Sequence, residues 1–139
     1  MLAAVSLTEQ GRPRFLKMHI SQLDAKSVSA VAQQMIRPGN EIHSDALGSF
    51  HAALKGTYTH HYQVFDKDSG ALRWVHILIS NVKSFLLGTY HGLGKKHLQR
   101  YFDEFAFRFN RRFWPQQLFP RLVSAVAVSN ILGYGDLTR

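Results

Sequence analysis

Two polar side chains stand where they could bind a hard metal ion. Asp45 comes directly after a short strand pattern over 41–44, and ligands and metals collect at such strand ends in open α/β sheets. Asn81 lies at the border of an apolar helical stripe, and its amide oxygen can coordinate a cation such as Mg²⁺, more weakly than a carboxylate does. Position alone favours plainer roles, a turn-forming aspartate and a hydrogen-bonded asparagine.

The histidines suggest a second metal interpretation, and their spacing argues against it. His60 and His61 are adjacent, so on a strand their rings would point to opposite faces. Neither this pair nor the others, such as His43, His91 and His97, form the HExxH spacing of a zinc enzyme, and the chain has no cysteine for a Cys-type site. Contacts to phosphate or packing in turns are the simpler account.

The segment 95–113 predicts a helix with two different faces. Apolar side chains recur at three- and four-residue spacing on one face, namely Leu98, Phe102, Phe105, Phe109 and Phe113. A cationic stripe follows another face, and Glu104 within it can pair with Arg100 or Arg108. Two interpretations remain open. One is an ordinary solvated face, and the other is a face that holds DNA phosphates through Lys95, Lys96, Arg100, Arg108, Arg111 and Arg112.

Strand and helix patterns alternate along the chain that carries these residues. Strands are predicted over 2–8 and 14–20, joined as a hairpin through the turn at 11–13, and over 41–44, with a candidate edge strand at 58–65. Helices are predicted over 26–36, 49–54, 75–87, 95–113 and 116–128, with Gly88 ending the third. Strands separated by helices favour an α/β layer architecture with a mixed sheet.

Composition limits the class of partner. The chain has 139 residues, which suits a single domain, and a formal net charge of +8. Such an excess of positive charge favours a polyanion, either nucleic acid or an acidic membrane surface. No apolar run approaches the roughly 18 residues that a membrane span needs. The lack of cysteine excludes a disulfide framework and is compatible with an intracellular location.

Four stretches in the second half of the chain resemble one family. They are ISNVK at 79–83, GTYHG at 88–92, KHLQRY at 96–101 and DEFAFRFNRR at 103–112, preceded in the same order by GRPRF at 11–15, Ser44-Asp45, Tyr58-x-His60 and Trp74-x-His76. Together they resemble the end of the catalytic domain in bacterial insertion-sequence transposases of the DDE class, the ISXO-like branch. The resemblance covers nearly the whole chain.

This resemblance implies an RNase-H-like fold, a mixed sheet flanked by helices. It implies that DNA is cut and joined at a site that uses Mg²⁺ or Mn²⁺. Asp45 matches the second catalytic aspartate, and Asn81 matches the third position, where this branch carries asparagine in place of glutamate. DNA is the implied partner, and the bacterial cytoplasm, near the nucleoid, is the implied location.

One departure from the family pattern concerns the first catalytic aspartate. None of the acids before Asp45, which are Glu9, Asp24 and Glu41, matches that position. We therefore expect a single domain over 1–139 that is truncated at its start, lacks the family's zinc ribbon and first central strand, and is inactive alone. Unpaired strand edges at the gap would favour homo-oligomers. The alternative is a non-catalytic basic DNA-binding remnant that pairs with or inhibits a full-length transposase, and a plain structural domain is the third interpretation.

Overall fold

The chain forms four strands and five helices in the computed structural model, which describes residues 1–64, 70, 72–90, 94–130 and 133. The elements in chain order are β1 Leu2–Leu7, β2 Pro13–His19, α1 Ala25–Met35, β3 Glu41–Asp45, α2 Gly48–Leu54, β4 Thr59–Gln63, α3 Arg73–Thr89, α4 Leu98–Asn110 and α5 Leu118–Val128. Short 3₁₀ turns at Lys95–His97 and Pro115–Gln117 precede the last two helices. The predicted mixed α/β class is confirmed.

The strands pair as two separate two-stranded sheets. β1 and β2 form the predicted antiparallel hairpin, with Val5 opposite Leu16. β3 and β4 run parallel, with His43 opposite His61. The candidate strand at 58–65 is thus confirmed over Thr59–Gln63, and its last predicted residue, Phe65, lies outside the described residues. One continuous mixed sheet was expected. Instead, β1 and β3 each keep one edge that no described strand pairs with.

One face of the hairpin builds a hydrophobic core with α3 and α4. Leu16 and Met18 alternate on β2 and are buried, with Leu16 at 0% exposure. They pack with Leu78 and Val82 of α3 and Phe102 of α4. These positions fall on the apolar faces that the helical periodicity predicts, so burial of those faces fixes α3 and α4 against the hairpin.

The opposite face of the hairpin contributes to a second core. Leu2 packs there with Tyr58 and with residues of two helices. These are Val28, Val31 and Ala32 of α1 and Ala53 and Leu54 of α2. The Asp24 side chain caps α1 by accepting from the Ser27 N–H at 3.0 Å. The Tyr58 hydroxyl donates to the Ile36 carbonyl at 2.9 Å and so ties the other end of α1 to the start of β4.

The outer edge of β2 is covered by side chains of α4. Asn110 bonds both backbone groups of Leu16, accepting from its N–H at 2.7 Å and donating to its carbonyl at 2.9 Å. Gln99 accepts from the Ile20 N–H at 2.8 Å and donates to the Met18 carbonyl at 3.0 Å. These two amides occupy the hydrogen-bonding positions of a further strand, so β2 presents no open edge there.

The helix ends differ from the predicted ones. α3 continues through Gly88 to Thr89, because a glycine in a last turn is tolerated when the helix is held by packing. α4 ends at Asn110, so the predicted core residue Phe113 lies beyond it and is 57% exposed. α5 forms as predicted, yet none of its apolar residues is buried.

Replacing Asn110 tests how much the sealed edge contributes. In the variant Asn110→Ala, both backbone groups of Leu16 lose their partner, and each part-buried orphan costs about 1–3 kcal/mol. We expect a fall of about 2 kcal/mol or more in the free energy of unfolding, measured by urea denaturation.

The control is Asn40→Ala, because the Asn40 amide donates to an exposed carbonyl of Arg37. That change should cost less than about 1 kcal/mol. Equal losses in the two variants would contradict a special role for the sealed edge.

Candidate metal site and nucleic-acid surface

Asp45 is the last residue of β3 and is exposed. The strand alternates, so Ile42 points towards the α1 core while Glu41, His43 and Asp45 share the outer face. The Asp45 carboxylate accepts one long hydrogen bond, from the Leu47 N–H at 3.4 Å. Its remaining lone pairs are therefore open to a ligand, as the strand-end position predicts.

Asn81 lies in the middle of α3 and is also exposed. Its neighbours on the buried side of the helix are Leu78 and Val82, so the side chain stands at the edge of the apolar stripe, where the sequence puts it. α3 packs on β1 and α4, whereas β3 pairs with β4. The two predicted ligands thus lie on elements with different main packing partners, and no hydrogen bond joins one side chain to the other among the described residues.

The two side chains have the chemistry of magnesium ligands, and two donors alone would make an incomplete site. Carboxylate and amide oxygens are hard donors of the kind that Mg²⁺ takes in proteins. Within the described ranges, no three acidic or histidine side chains converge as metal ligands would. Mg²⁺ keeps several waters and is commonly completed by substrate phosphates, so two protein donors suffice for weak binding only.

Histidines occupy both faces of the β3–β4 pair. On the outer face, His43 and His61 stack with ring centroids 5.1 Å apart, and each places Nε2 near the same oxygen of Glu41, at 3.0 and 3.3 Å. Among the described residues, this trio does not have the geometry of a metal site. His60 points to the opposite face, as alternation predicts, and its Nε2 lies 2.8 Å from the Ser44 hydroxyl.

Exposed cations cluster at the start of α4. Lys95, Lys96 and Arg100 are exposed, the two lysines on the 3₁₀ turn and the arginine in the first helical turn. Arg100 borders a shallow depression of about 280 Å³ together with His97, Tyr101 and Glu104. The lining combines the guanidinium of Arg100 and two rings with the carboxylate of Glu104, and a phosphate could approach it through the guanidinium.

Glu104 sits within this basic stripe and neutralises part of it. Its Oε1 accepts from Arg108 at 2.7 Å, which is one of the two pairings that the four-residue spacing allows. Its Oε2 accepts from the Tyr90 hydroxyl at 3.0 Å, and that bond is the main reason why the pKa of Tyr90 lies above its ordinary value. Arg108 is consequently engaged within the protein, while the preceding turn of the stripe keeps its charge exposed.

The last two predicted phosphate contacts are occupied by the protein itself. Arg111 lies over the Phe107 ring at 3.6 Å and donates to the Phe107 carbonyl at 3.4 Å. Arg112 donates to the carbonyls of Pro13 and Arg14 (3.2 Å for the latter), and burial lowers the pKa of its guanidinium. Arg112 thereby joins the end of α4 to the hairpin, whereas the contacts of Arg111 are to α4 itself, and the role of both in binding DNA stays a prediction.

Sequence reasoning missed the structural role of Gln99 and Asn110. The two residues stand eleven positions apart, which is three helical turns, and therefore lie on the same side of α4. That spacing of two carboxamides beside an apolar face is the sequence feature that could have revealed them. Which backbone groups they bind follows only from the packing of α4 on β2.

The environment of His60 makes stability depend on pH. Burial lowers the pKa of His60 below its ordinary value of 6.5, and the nearby rings of His51, His61 and His43 lower it further. As the pH falls, this ring therefore takes up a proton at a higher pH in the unfolded chain than in the folded chain. Stability from this group is present above pH 6.5 and is lost as the pH falls below that value.

The variant His60→Gln removes this titration and keeps a polar group opposite Ser44. We expect the drop in Tm between about pH 7.5 and about pH 5 to be smaller for the variant than for the wild-type chain. Differential scanning fluorimetry at several pH values measures it. A variant that loses as much Tm as the wild type would show that other groups carry the pH dependence.

Comparison with known proteins identifies the family. The family model described as the ISXO2-like transposase domain matches residues 1–110, which include every strand and all of α1 to α4. Comparisons with curated proteins and with solved structures gave no match. In the described part of the chain, no helix is long and apolar enough to cross a membrane. Over most of its length, then, the chain is a transposase domain of the DDE class, and it belongs to the ISXO2-like family.

Proposed function

We propose that this chain serves DNA transposition by metal-dependent phosphoryl transfer, with Asp45 and Asn81 as metal ligands. The observation that carries the proposal is the family membership over residues 1–110, a range that includes both residues. We further propose that the chain is a single domain over 1–139 with an RNase-H-like fold, in which antiparallel and parallel strand pairs occur together. The antiparallel pairing of β1 with β2 and the parallel pairing of β3 with β4 support that arrangement.

DNA is the proposed partner because family and charge agree. The net charge of +8 attracts a polyanion, and Lys95, Lys96 and Arg100 present positive charge at the start of α4. Arg108, Arg111 and Arg112 complete the proposed set. They lie at the end of α4, which is beside the hairpin. Contacts of this kind hold and orient the phosphate backbone and carry no sequence information by themselves.

The proposed reaction is an in-line displacement at phosphorus. The oxygen of a water molecule or of a DNA 3′-hydroxyl forms a bond to phosphorus, the bond to the leaving 3′-oxygen breaks, and the proton of the nucleophile passes to solvent. A divalent cation, Mg²⁺ or Mn²⁺, would activate the attacking oxygen and neutralise charge on the leaving one. Asp45 contributes the charged ligand and Asn81 a neutral one, so the chain taken alone binds the cation weakly and cuts DNA slowly.

A non-catalytic role is the second candidate. Asp45 lies on β3, which pairs with β4, whereas Asn81 lies on α3, which packs on β1 and α4, and no hydrogen bond joins the two side chains among the described residues. A chain of this kind would bind DNA through its cationic surface and pair with or inhibit an active transposase. It predicts salt-dependent DNA binding without metal-dependent cleavage.

A nicking assay on supercoiled plasmid separates the two candidates. Catalysis predicts nicked product in the presence of Mn²⁺, none in the presence of a chelator, and none with Asp45→Asn under either condition. The control variant is Glu9→Gln, which removes an exposed acid in the hairpin turn. DNA binding without any nicking would exclude catalysis by this chain alone and favour the non-catalytic role.

Metal titration tests the ligand assignment independently of activity. We expect weak Mn²⁺ binding by isothermal titration calorimetry, with affinity reduced about tenfold or more in Asp45→Asn because the charged ligand is gone. Glu9→Gln should leave the affinity unchanged. Wild-type affinity in Asp45→Asn would show that the cation binds elsewhere.

A further inference from the structure

Arginines and aromatic rings meet at the turn end of the β1–β2 hairpin, away from the start of α4. The arginine–aromatic patch consists of Arg14, Phe15, Arg73, Trp74, Trp114 and Arg121. Its members come from four places in the chain, which are β2, the first turn of α3, the segment after α4, and α5. Each arginine lies near the face of a ring in the same patch.

Two side chains bring these places together. The Trp74 indole donates to the Gly11 carbonyl at 2.8 Å and so fixes the start of α3 to the hairpin turn. Arg112 donates to the carbonyls of Pro13 and Arg14, and its guanidinium lies 4.1 Å from the centre of the Phe113 ring. The turn is therefore clamped from both helices, and the patch is assembled by packing as well as by sequence adjacency.

Beyond Arg112, the patch extends through the neighbouring Phe113 to Trp114 and Arg121. Phe113 contacts the ring of Trp114 edge to face with centroids 6.0 Å apart. The guanidinium of Arg121 stands 6.0 Å from the centre of the Trp114 ring. A continuous series of contacts thus runs from the start of α3, across the hairpin turn, to α5.

The charge of this patch is not balanced within the described structure. The guanidinium of Arg14 lies 5.2 Å from the centre of the Phe15 ring, and that of Arg73 lies 5.9 Å from the centre of the Trp74 ring. Neither these two nor Arg121 forms an ion pair with a described carboxylate. All three are exposed, so they present positive charge to solvent.

Two of the three rings of the patch are exposed as well, and that of Trp74 is half-buried. Phe15 is 42% exposed and Trp114 is 43% exposed, and the adjoining Phe113 is 57% exposed. These exposed aromatic faces lie next to guanidiniums that form no ion pair with a described carboxylate. Together they provide the two features that bind single-stranded nucleic acid. These features are stacking platforms for bases and positive charge for the phosphates between them.

We propose that the arginine–aromatic patch binds single-stranded DNA, a role that rests on the proposed function of this chain in acting on DNA. Bases within a duplex are already stacked on one another and cannot use the rings, whereas an unpaired segment can use both rings and arginines. The patch is separate from the cations at the start of α4, which suit the backbone of either form. Unpaired strands at cut DNA ends would be ligands of this patch.

Intrinsic fluorescence reports on this patch directly, because both tryptophans of the chain, Trp74 and Trp114, belong to it. We expect an oligothymidine of about 15 nucleotides, near the upper size of a single binding site, to quench tryptophan emission on binding. A duplex of equal length should bind with much less quenching. Equal quenching by the duplex, or by inorganic polyphosphate, would overturn the assignment to unpaired bases.

The charge test uses two variants with equal loss of positive charge. The triple variant Arg14→Gln, Arg73→Gln, Arg121→Gln should lower the slope of log affinity for oligothymidine against log salt by about 2, which corresponds to three lost phosphate contacts. The control triple variant Lys26→Gln, Arg37→Gln, Lys55→Gln removes three exposed cations elsewhere and should retain the wild-type slope. Equal slopes in the two variants would overturn the proposal.

The stacking test uses Trp114→Leu, which keeps an apolar side chain and removes the aromatic face. Loss of one stacked base predicts roughly tenfold to a hundredfold weaker binding of oligothymidine, with duplex affinity unchanged. Wild-type affinity for oligothymidine in this variant would contradict the proposal.

Failure of the patch and failure of the proposed function give different results. If DNA binding depends on Arg100 and not on the patch, this inference falls and the proposed function stands. If neither single-stranded nor duplex DNA binds to the wild-type chain, both fall.

Discussion

The structure depends on how the outer edge of β2 is satisfied. A strand edge carries backbone donors and acceptors that must find partners, and here the partners are the side-chain amides of Gln99 and Asn110. Because both amides are on α4, the bonds fix the rotation of that helix as well as its distance from the hairpin. The core between Phe102 and Leu16 then forms on one side, and the charged face of α4 is turned away from the sheet.

α4 therefore has three separate roles on three faces. Its apolar face packs on β2 and α3, its amide face seals the strand edge, and its charged face holds Arg100 and the pair of Glu104 with Arg108. The pair explains why charge counted from sequence overstates what is exposed, since Arg108 has an internal partner. Arg112 has more internal partners than Arg108, because its guanidinium donates to two backbone carbonyls and lies over an aromatic ring.

Most of the elements could be predicted from sequence, because apolar periodicity reports which face of a helix or strand is buried. The hairpin, the Asp24 cap and the buried faces of α3 and α4 follow from local patterns of this kind. The division into two sheets could not be predicted, because the local sequence of a strand does not determine which distant strand it pairs with. For the candidate site, Asp45 at a strand end and Asn81 on a helix edge were both placed correctly, whereas the role of Arg112 depends on its long-range contacts to the hairpin.

The amide seal also limits how copies of this chain can associate through the hairpin. One margin of that two-stranded sheet is blocked by Gln99 and Asn110, and the margin along β1 is open. An added strand can join on that side alone, so two hairpins meeting through β1 would leave no further margin to extend from. Association by this route ends at a closed pair, which protects a short, half-covered sheet from growing into a fibre.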